Sequence, residues 1–315
     1  MNAVAKVVTV TLNPAIDQTV DVAEFRTGEV NRVLEVRQNA GGKGVNVASS
    51  LADLGVTTVA TGFLGRENAG LFESLFRDKG IADRFVRLPG STRLGLKVVD
   101  RSCQKVTEIN YPGLTPEAAD LEALLGTVRE LAAPGTWFVL SGSLPPGAPT
   151  GIYATLVREI RERGGKVALD TSGEPLRLAL AETPDLVKPN QHELEHLTGT
   201  SMEALEDVAS TAAHLVSQGI GLVAVSMGSR GALLAHGKEL LVAVPPAVAI
   251  QSTVGAGDTM VAGLVYARLQ GQNLSETARL ATACGAHSVT RIASGVDPAA
   301  IHALEELVDL TALHA

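Results

Sequence analysis

Residues 251–263 read QSTVGAGDTMVAG: the small residues Gly255, Ala256 and Gly257 precede an apolar, helix-like run, and Asp258 stands where a Walker-type loop would carry lysine. Glycines ahead of a helix let backbone N–H groups converge on an anion, and the helix dipole adds partial positive charge. A carboxylate there repels bound phosphate unless its work is to take a proton. Phosphoryl transfer to an alcohol reconciles the two features. Asp258 would accept the hydroxyl proton while the N–H groups of Gly255, Ala256 and Gly257 stabilise charge on the moving group. The plain alternative is a first-turn aspartate that only favours its helix.

Other stretches carry chemistry-bearing residues. NAGGKGVNVASSL (39–51) opens a helix; Gly41, Gly42 and Gly44 allow close backbone approach, Lys43 supplies charge, and Asn46 is able to bond hydroxyls. SGSLPPG (141–147) leaves an apolar strand at its C-terminal end, where open α/β sheets bind ligands. VKPNQHELEHLTG (187–199) reads in two frames. His192-Glu193-Leu194-Glu195-His196 matches HExxH, which on a helix puts both histidines on one face for Zn²⁺, although nothing marks a third ligand. In the other frame, Asn190-x-x-Glu193 lets Glu193 organise the waters of Mg²⁺, with Lys188 and Asn190 facing nucleotide phosphates. VSMGSRGALL (225–234) is a strand, a turn with two glycines and a second strand, either one wall of a nucleotide site or a plain hairpin.

These residues need elements to hold them. Buried strands are expected at 6–11, 57–62, 136–141, 166–170, 185–188 and 222–227, because those runs are almost continuously apolar. Between them, 44–54, 68–80, 116–131 and 152–165 carry helical spacing and glycine stops. The alternation predicts an α/β fold with a mainly parallel sheet and helices on both faces. Residues 17–39 and 92–111 break the rhythm with β-type alternation, the latter as a hairpin turning near 100–104. Two such excursions would pair into a small sheet over the mouth of the core. No linker or repeat marks a second globular domain, so one domain spanning 1–315 is expected.

The formal charge of −8, from 26 basic and 34 acidic side chains, argues against a nucleic-acid-coating surface. At 45% hydrophobic residues the chain has the material for a core. Its two cysteines, Cys103 and Cys284, lack metal-ligand spacing and read as reduced thiols in a cytoplasm. No targeting segment or membrane span is expected; the run 241–250 is broken by Pro245 and Pro246.

TLNPAID (11–17), GGKGVNVA, SGSLPPG, VKPNQHE and STVGAGD occur together and in order, and with them the chain resembles the PfkB, ribokinase-like carbohydrate kinases from end to end. Within that family GEVNRV (28–33), GFLGRENAG (62–70) and STVGAGDTMVAGL favour the branch that phosphorylates sugar phosphates. The resemblance implies a three-layer αβα core with a small β lid, ATP as donor, and Mg²⁺. It implies fructose 1-phosphate as acceptor, with tagatose 6-phosphate and fructose 6-phosphate as alternatives. Asp258 matches the family's base and Gly255 to Gly257 its anion hole. Asp17, Gly42, Lys43, Asn46 and Ser143 match sugar-site positions, and Arg93 an arginine gripping the substrate phosphate. Arg32 is a second candidate for that grip, across a dimer contact. Lys188, Asn190 and Glu193 match the nucleotide and Mg²⁺ side, and Ser226, Gly228 and Gly231 the ATP-binding turn. Ser252 stands where ribokinase-type relatives often carry aspartate, so K⁺ dependence is not carried over. A lid with an exposed face implies a homodimer. Rivals from other classes are an HExxH zinc protease and a sugar-phosphate sensor without a base.

Overall fold

Val7–Thr11 (β1) is VVTVT and is buried at every position, as expected for a strand covered on both faces. The computed structural model describes residues 7–103, 105–291 and 295–313. After β1 the chain forms β2 (Ala15–Val22), β3 (Val33–Gly41), α1 (Lys43–Asp53), β4 (Thr58–Gly65), α2 (Gly70–Lys79), β5 (Ala82–Asp83) and β6 (Val86–Leu88). Then come β7 (Leu94–Asp100), β8 (Lys105–Asn110), α3 (Ala118–Leu131), β9 (Trp137–Ser141), α4 (Ile152–Glu162), β10 (Lys166–Asp170) and α5 (Gly173–Leu180). Next are β11 (Leu186–Val187), α6 (Gln191–Thr198), α7 (Leu205–Ser217), β12 (Leu222–Ser226), β13 (Ala232–His236) and β14 (Glu239–Val244). The last elements are α8 (Ala256–Leu269), α9 (Leu274–Val289), α10 (Pro298–Glu305) and β15 (Asp309–Leu313).

The large sheet runs β15-β14-β13-β12-β11-β10-β9-β1-β4-β5, with β6 also on β4; it is parallel from β12 to β5 and antiparallel from β12 to β15. Apolar side chains of α3 to α7 pack on one face and those of α1, α8, α9 and α10 on the other, giving three layers. The chain winds outward from β1 to β4, then restarts at β9 on the opposite side. That reversal opens a crevice at the C-terminal ends of β1, β9 and β10, the place where such sheets bind ligands.

The expected small sheet is present, in the order β3-β2-β7-β8. Its alternation sorts polar residues to one face: Asp17, Thr19 and Asp21 pair with Asn39, Arg37 and Glu35. On the other face Val36 pairs with Val20, Val20 with Val98, and Leu96 with Ile109. The predicted hairpin turn near 100–104 begins after Asp100; Gln104 lies outside the described residues. The predicted strand 185–188 shrinks to Leu186–Val187; Lys188 follows it directly, its N–H still donating to the Leu169 carbonyl on β10 at 3.1 Å. Helices α5, α7, α9 and α10 and strand β15 were not among the predicted elements; α5 and α10 are short, eight residues each. The helix expected at the apolar run after Gly257 is α8, buried nearly all round and so without the polar stripe of a surface helix.

Candidate active site

α8 is preceded by Gly255, its N-cap, whose φ of 83° is left-handed and so favours glycine. No side chain caps this helix. The N–H groups of Gly257 and Asp258 therefore have no acceptor within it, whereas that of Ala256 turns back to the Thr253 carbonyl at 3.4 Å. Asp258 is 6% exposed and accepts a 2.8 Å hydrogen bond from Asn46 Nδ2 on α1. Burial first, then the Asp170 carboxylate, push its carboxyl up to about 7, against the Asn46 bond and the Lys43 and Lys188 ammonium groups. A carboxyl tuned to neutrality is suited to accept a proton from a hydroxyl.

Lys43 opens α1 just after Gly42, its N-cap. Its Nζ lies 3.3 Å from Asp170, and the Lys188 Nζ lies 3.3 Å from the same carboxylate. Burial works against charging Lys43, but Asp170, Glu193 and Asp258 outweigh it and hold its pKa above the usual lysine value. Lys188 is buried and its ammonium lies against the open side of Gly257. Two cations thus flank the α8 N-terminus. Asp170 joins them, and the sequence reading passed it over as part of a strand. The available signal was a carboxylate ending an otherwise apolar strand at the sheet's ligand-binding edge.

A cleft of about 1200 Å³ separates the polar face of the small sheet from the α8 mouth; Asp17, Asn39 and Lys97 line one side, and Asn46, Ser252 and Gly255 the other. Asp17 accepts from Lys97 Nζ at 3.0 Å, a cation that sequence reasoning also missed because β7 looked like an ordinary alternating strand. Arg93 is half-buried; burial lowers its pKa against the pull of Asp17. Its Nη2 donates to the Asn13 carbonyl at 3.3 Å, and its Nε has no partner among the described residues. Asn13 in turn donates to the Ser143 hydroxyl at 3.2 Å, tying the loops after β1 and β9 together. Arg32 is exposed between β2 and β3 and does not line the cleft.

On the other flank, Asn190 and Glu193 form a capping box: Asn190 Oδ1 accepts from the Glu193 N–H at 2.8 Å, and Glu193 Oε2 from the Asn190 N–H at 2.8 Å. One oxygen of Glu193 is thereby committed. Asn190 also bridges Ser226 in a parallel pair, so the capping box and the end of β12 are joined. Gly228 lies in a single 3₁₀ turn and Gly231 at its exit. The HExxH frame is on a helix, but both histidines face solvent, and His192 Nδ1 meets Glu195 at 3.1 Å. No group of three metal-binding side chains occurs among the described residues. The zinc reading fails because α6 turns its buried side, with Leu194, into the core and its histidines outward.

Residues 10–299 match the profile described as pfkB family carbohydrate kinase. The chain belongs to that family. Among pfkB kinases, it is 50% identical over 294 residues to a 1-phosphofructokinase of Rhodobacter capsulatus, covering 93% of each chain. To a 1-phosphofructokinase of Vibrio cholerae it is 40% identical over 310 residues, covering 98% of each. Structurally it is similar to phosphofructokinase-2 from Escherichia coli in complex with fructose-6-phosphate, with a TM-score of 0.89 at 29% identity over 96% of this chain and 98% of that one. The large three-layer core and the small second sheet are those of this pfkB fold.

Proposed function

We propose that the chain is an ATP-dependent 1-phosphofructokinase, transferring phosphate to the 6-hydroxyl of D-fructose 1-phosphate to give fructose 1,6-bisphosphate. The observation that carries this reading is the buried Asp258 at the uncapped start of α8, with two lysine ammonium groups beside it. The two full-length relatives named 1-phosphofructokinase support the choice of acceptor. So does Arg93, since a plain sugar offers no dianion for it to neutralise.

In this mechanism Asp258 Oδ accepts the proton of the attacking hydroxyl, held in line by Asn46. Asp17, Gly42 and Ser143 position the sugar, Arg93 grips its phosphate, and Arg32 is the weaker candidate for the same grip. Gly255 and Gly257 present backbone amides to the transferring group, and Ala256 joins them once its N–H leaves the Thr253 carbonyl, while Lys43 and Lys188 offset the charge. Asn190, Ser226, Gly228 and Gly231 form the nucleotide wall. Glu193, a hard oxygen donor with one oxygen uncommitted, fits Mg²⁺ held through water rather than an all-protein cage. When bound, that ion supplies positive charge to the nucleotide phosphates.

We further infer that the chain works as one domain whose segments 17–39 and 92–111 form a lid, and that the lid's apolar face pairs two copies. A cytoplasmic setting fits its two free cysteines, and no described helix is long and apolar enough to cross a membrane. The second acceptor reading, fructose 6-phosphate or tagatose 6-phosphate, gains support from the similar Escherichia coli structure with fructose-6-phosphate.

Initial rates with the three hexose phosphates side by side test the acceptor, and the highest kcat/KM is expected with fructose 1-phosphate. Asp258→Asn should lower kcat by about 10²–10⁴-fold. Near-normal turnover in that variant removes the mechanism.

A further inference from the structure

Asp170 is 1% exposed, ends β10 beside the crevice, and has no part in the proton transfer or in gripping the sugar. Its Oδ1 lies 3.3 Å from Lys43 Nζ and 3.3 Å from Lys188 Nζ. The two lysines come from different elements, α1 and the segment after β11, and neither makes an ion pair with another carboxylate among the described residues. A buried carboxylate is retained only where it is compensated, and two ammonium groups brought to one place repel unless an anion sits between them. We propose that Asp170 is a positioning residue: its carboxylate clasps Lys43 and Lys188 at the mouth of α8, so that both cations stand ready for the transferred phosphoryl group.

This inference rests on the kinase reading and deepens it. Without the clasp, each lysine would swing to solvent or toward the remaining carboxylates whose charge it feels, Glu193 and Asp258 for Lys43 and Asp258 for Lys188. Either movement costs alignment at the reacting centre, where a misplacement of about 1 Å is enough to lose a hundredfold in rate. The clasp also sets the electrical surroundings of the base. Asp258 faces Asp170 on β10, Lys43 and Asn46 on α1, and Lys188 after β11. Asp170 raises its pKa, and the two lysines lower it. Removing the anion and removing one cation must therefore move the acid limb of the pH profile in opposite directions.

The test is the pH dependence of kcat/KM for the wild type, Asp170→Asn and Lys188→Met, with Asp258→Asn run in parallel. Asp170→Asn is expected to lower kcat about 10–100-fold. Its acid limb should move to lower pH by about one unit, and that of Lys188→Met to higher pH. In the double variant Asp170→Asn with Lys188→Met, losing the carboxylate should cost far less than it does alone, since it acts through a lysine that is no longer there. An acid limb that stays in place, fully additive losses, or a defect in Asp170→Asn cured by raised Mg²⁺ would overturn the proposal. If Asp170→Asn does not fold, Asp170→Glu decides the matter: it keeps the charge but displaces the clasp, so kcat should fall while the acid limb stays near its place, and an unchanged kcat would overturn the proposal. Full activity of Asp258→Asn would instead remove the underlying kinase mechanism, and so separates the two failures.

Discussion

Asp258 is kept in a place that suits catalysis better than stability. It is buried, faces a second carboxylate, and keeps its proton up to about pH 7. An unfolded aspartate releases that proton near pH 4. The native state thus binds the proton more tightly, and the stabilisation this provides is full below pH 4 and lost as the pH rises through about 7. Asp258→Asn, which carries no charge at any pH, should melt close to the wild type at pH 4 and clearly above it at pH 8. The gain expected at the higher pH is about 2–4 kcal/mol, read by thermal or denaturant unfolding. A stability difference that is the same at both values would show that the buried charge is not strained. The sequence placed this aspartate on a helix start beside glycines, because that geometry is local. Its pKa could not be read there, since it depends on Asp170 and on two lysines from other parts of the chain.

At the scale of elements, the motifs served the fold and the site together. The Asn190–Glu193 pair, read as a nucleotide and Mg²⁺ motif, is also the capping box that starts α6. The turn through Gly228 and Gly231, read as a nucleotide wall, is also a packed hairpin. Gly231 has a φ of 85°, and a Cβ added there would lie 1.9 Å from the Ala243 carbonyl oxygen on β14. Both the backbone conformation and the space require glycine. Gly231→Ala should destabilise the protein by about 1–3 kcal/mol, the usual cost of a strained position, with a lower midpoint in urea. An unchanged midpoint with a raised KM for ATP would mean that the turn acts on nucleotide alone. Strands β1, β9 and β10 were legible because continuous apolar runs of that length suit parallel strands buried on both faces. β15 was not, since its mostly exposed side chains follow from lying at the sheet's edge, a position set by packing.

For the molecule as a whole, the lid carries two different surfaces. The polar one lines the cleft, and the other exposes Val36 by 55% and Ile109 by 46%. Apolar side chains at that exposure, continuous with the buried Val20 and Val98, form a patch suited to a second copy across a two-fold axis. Light scattering of the purified protein should give a dimer mass, and Val36→Lys combined with Ile109→Lys should reduce it to that of one chain. A wild type already monomeric at working concentration would defeat this arrangement. The sequence alone determined the strand and helix rhythm, the excursions that make the lid, and the glycine loops, because neighbouring residues settle those through sterics and hydrogen bonding. The tertiary structure alone decided that Asn46 meets Asp258 across 212 positions, that Asp170 lies between two lysines, and that the HExxH histidines face water. Burial and Coulomb forces depend on distance in space, and only the packed chain sets those distances.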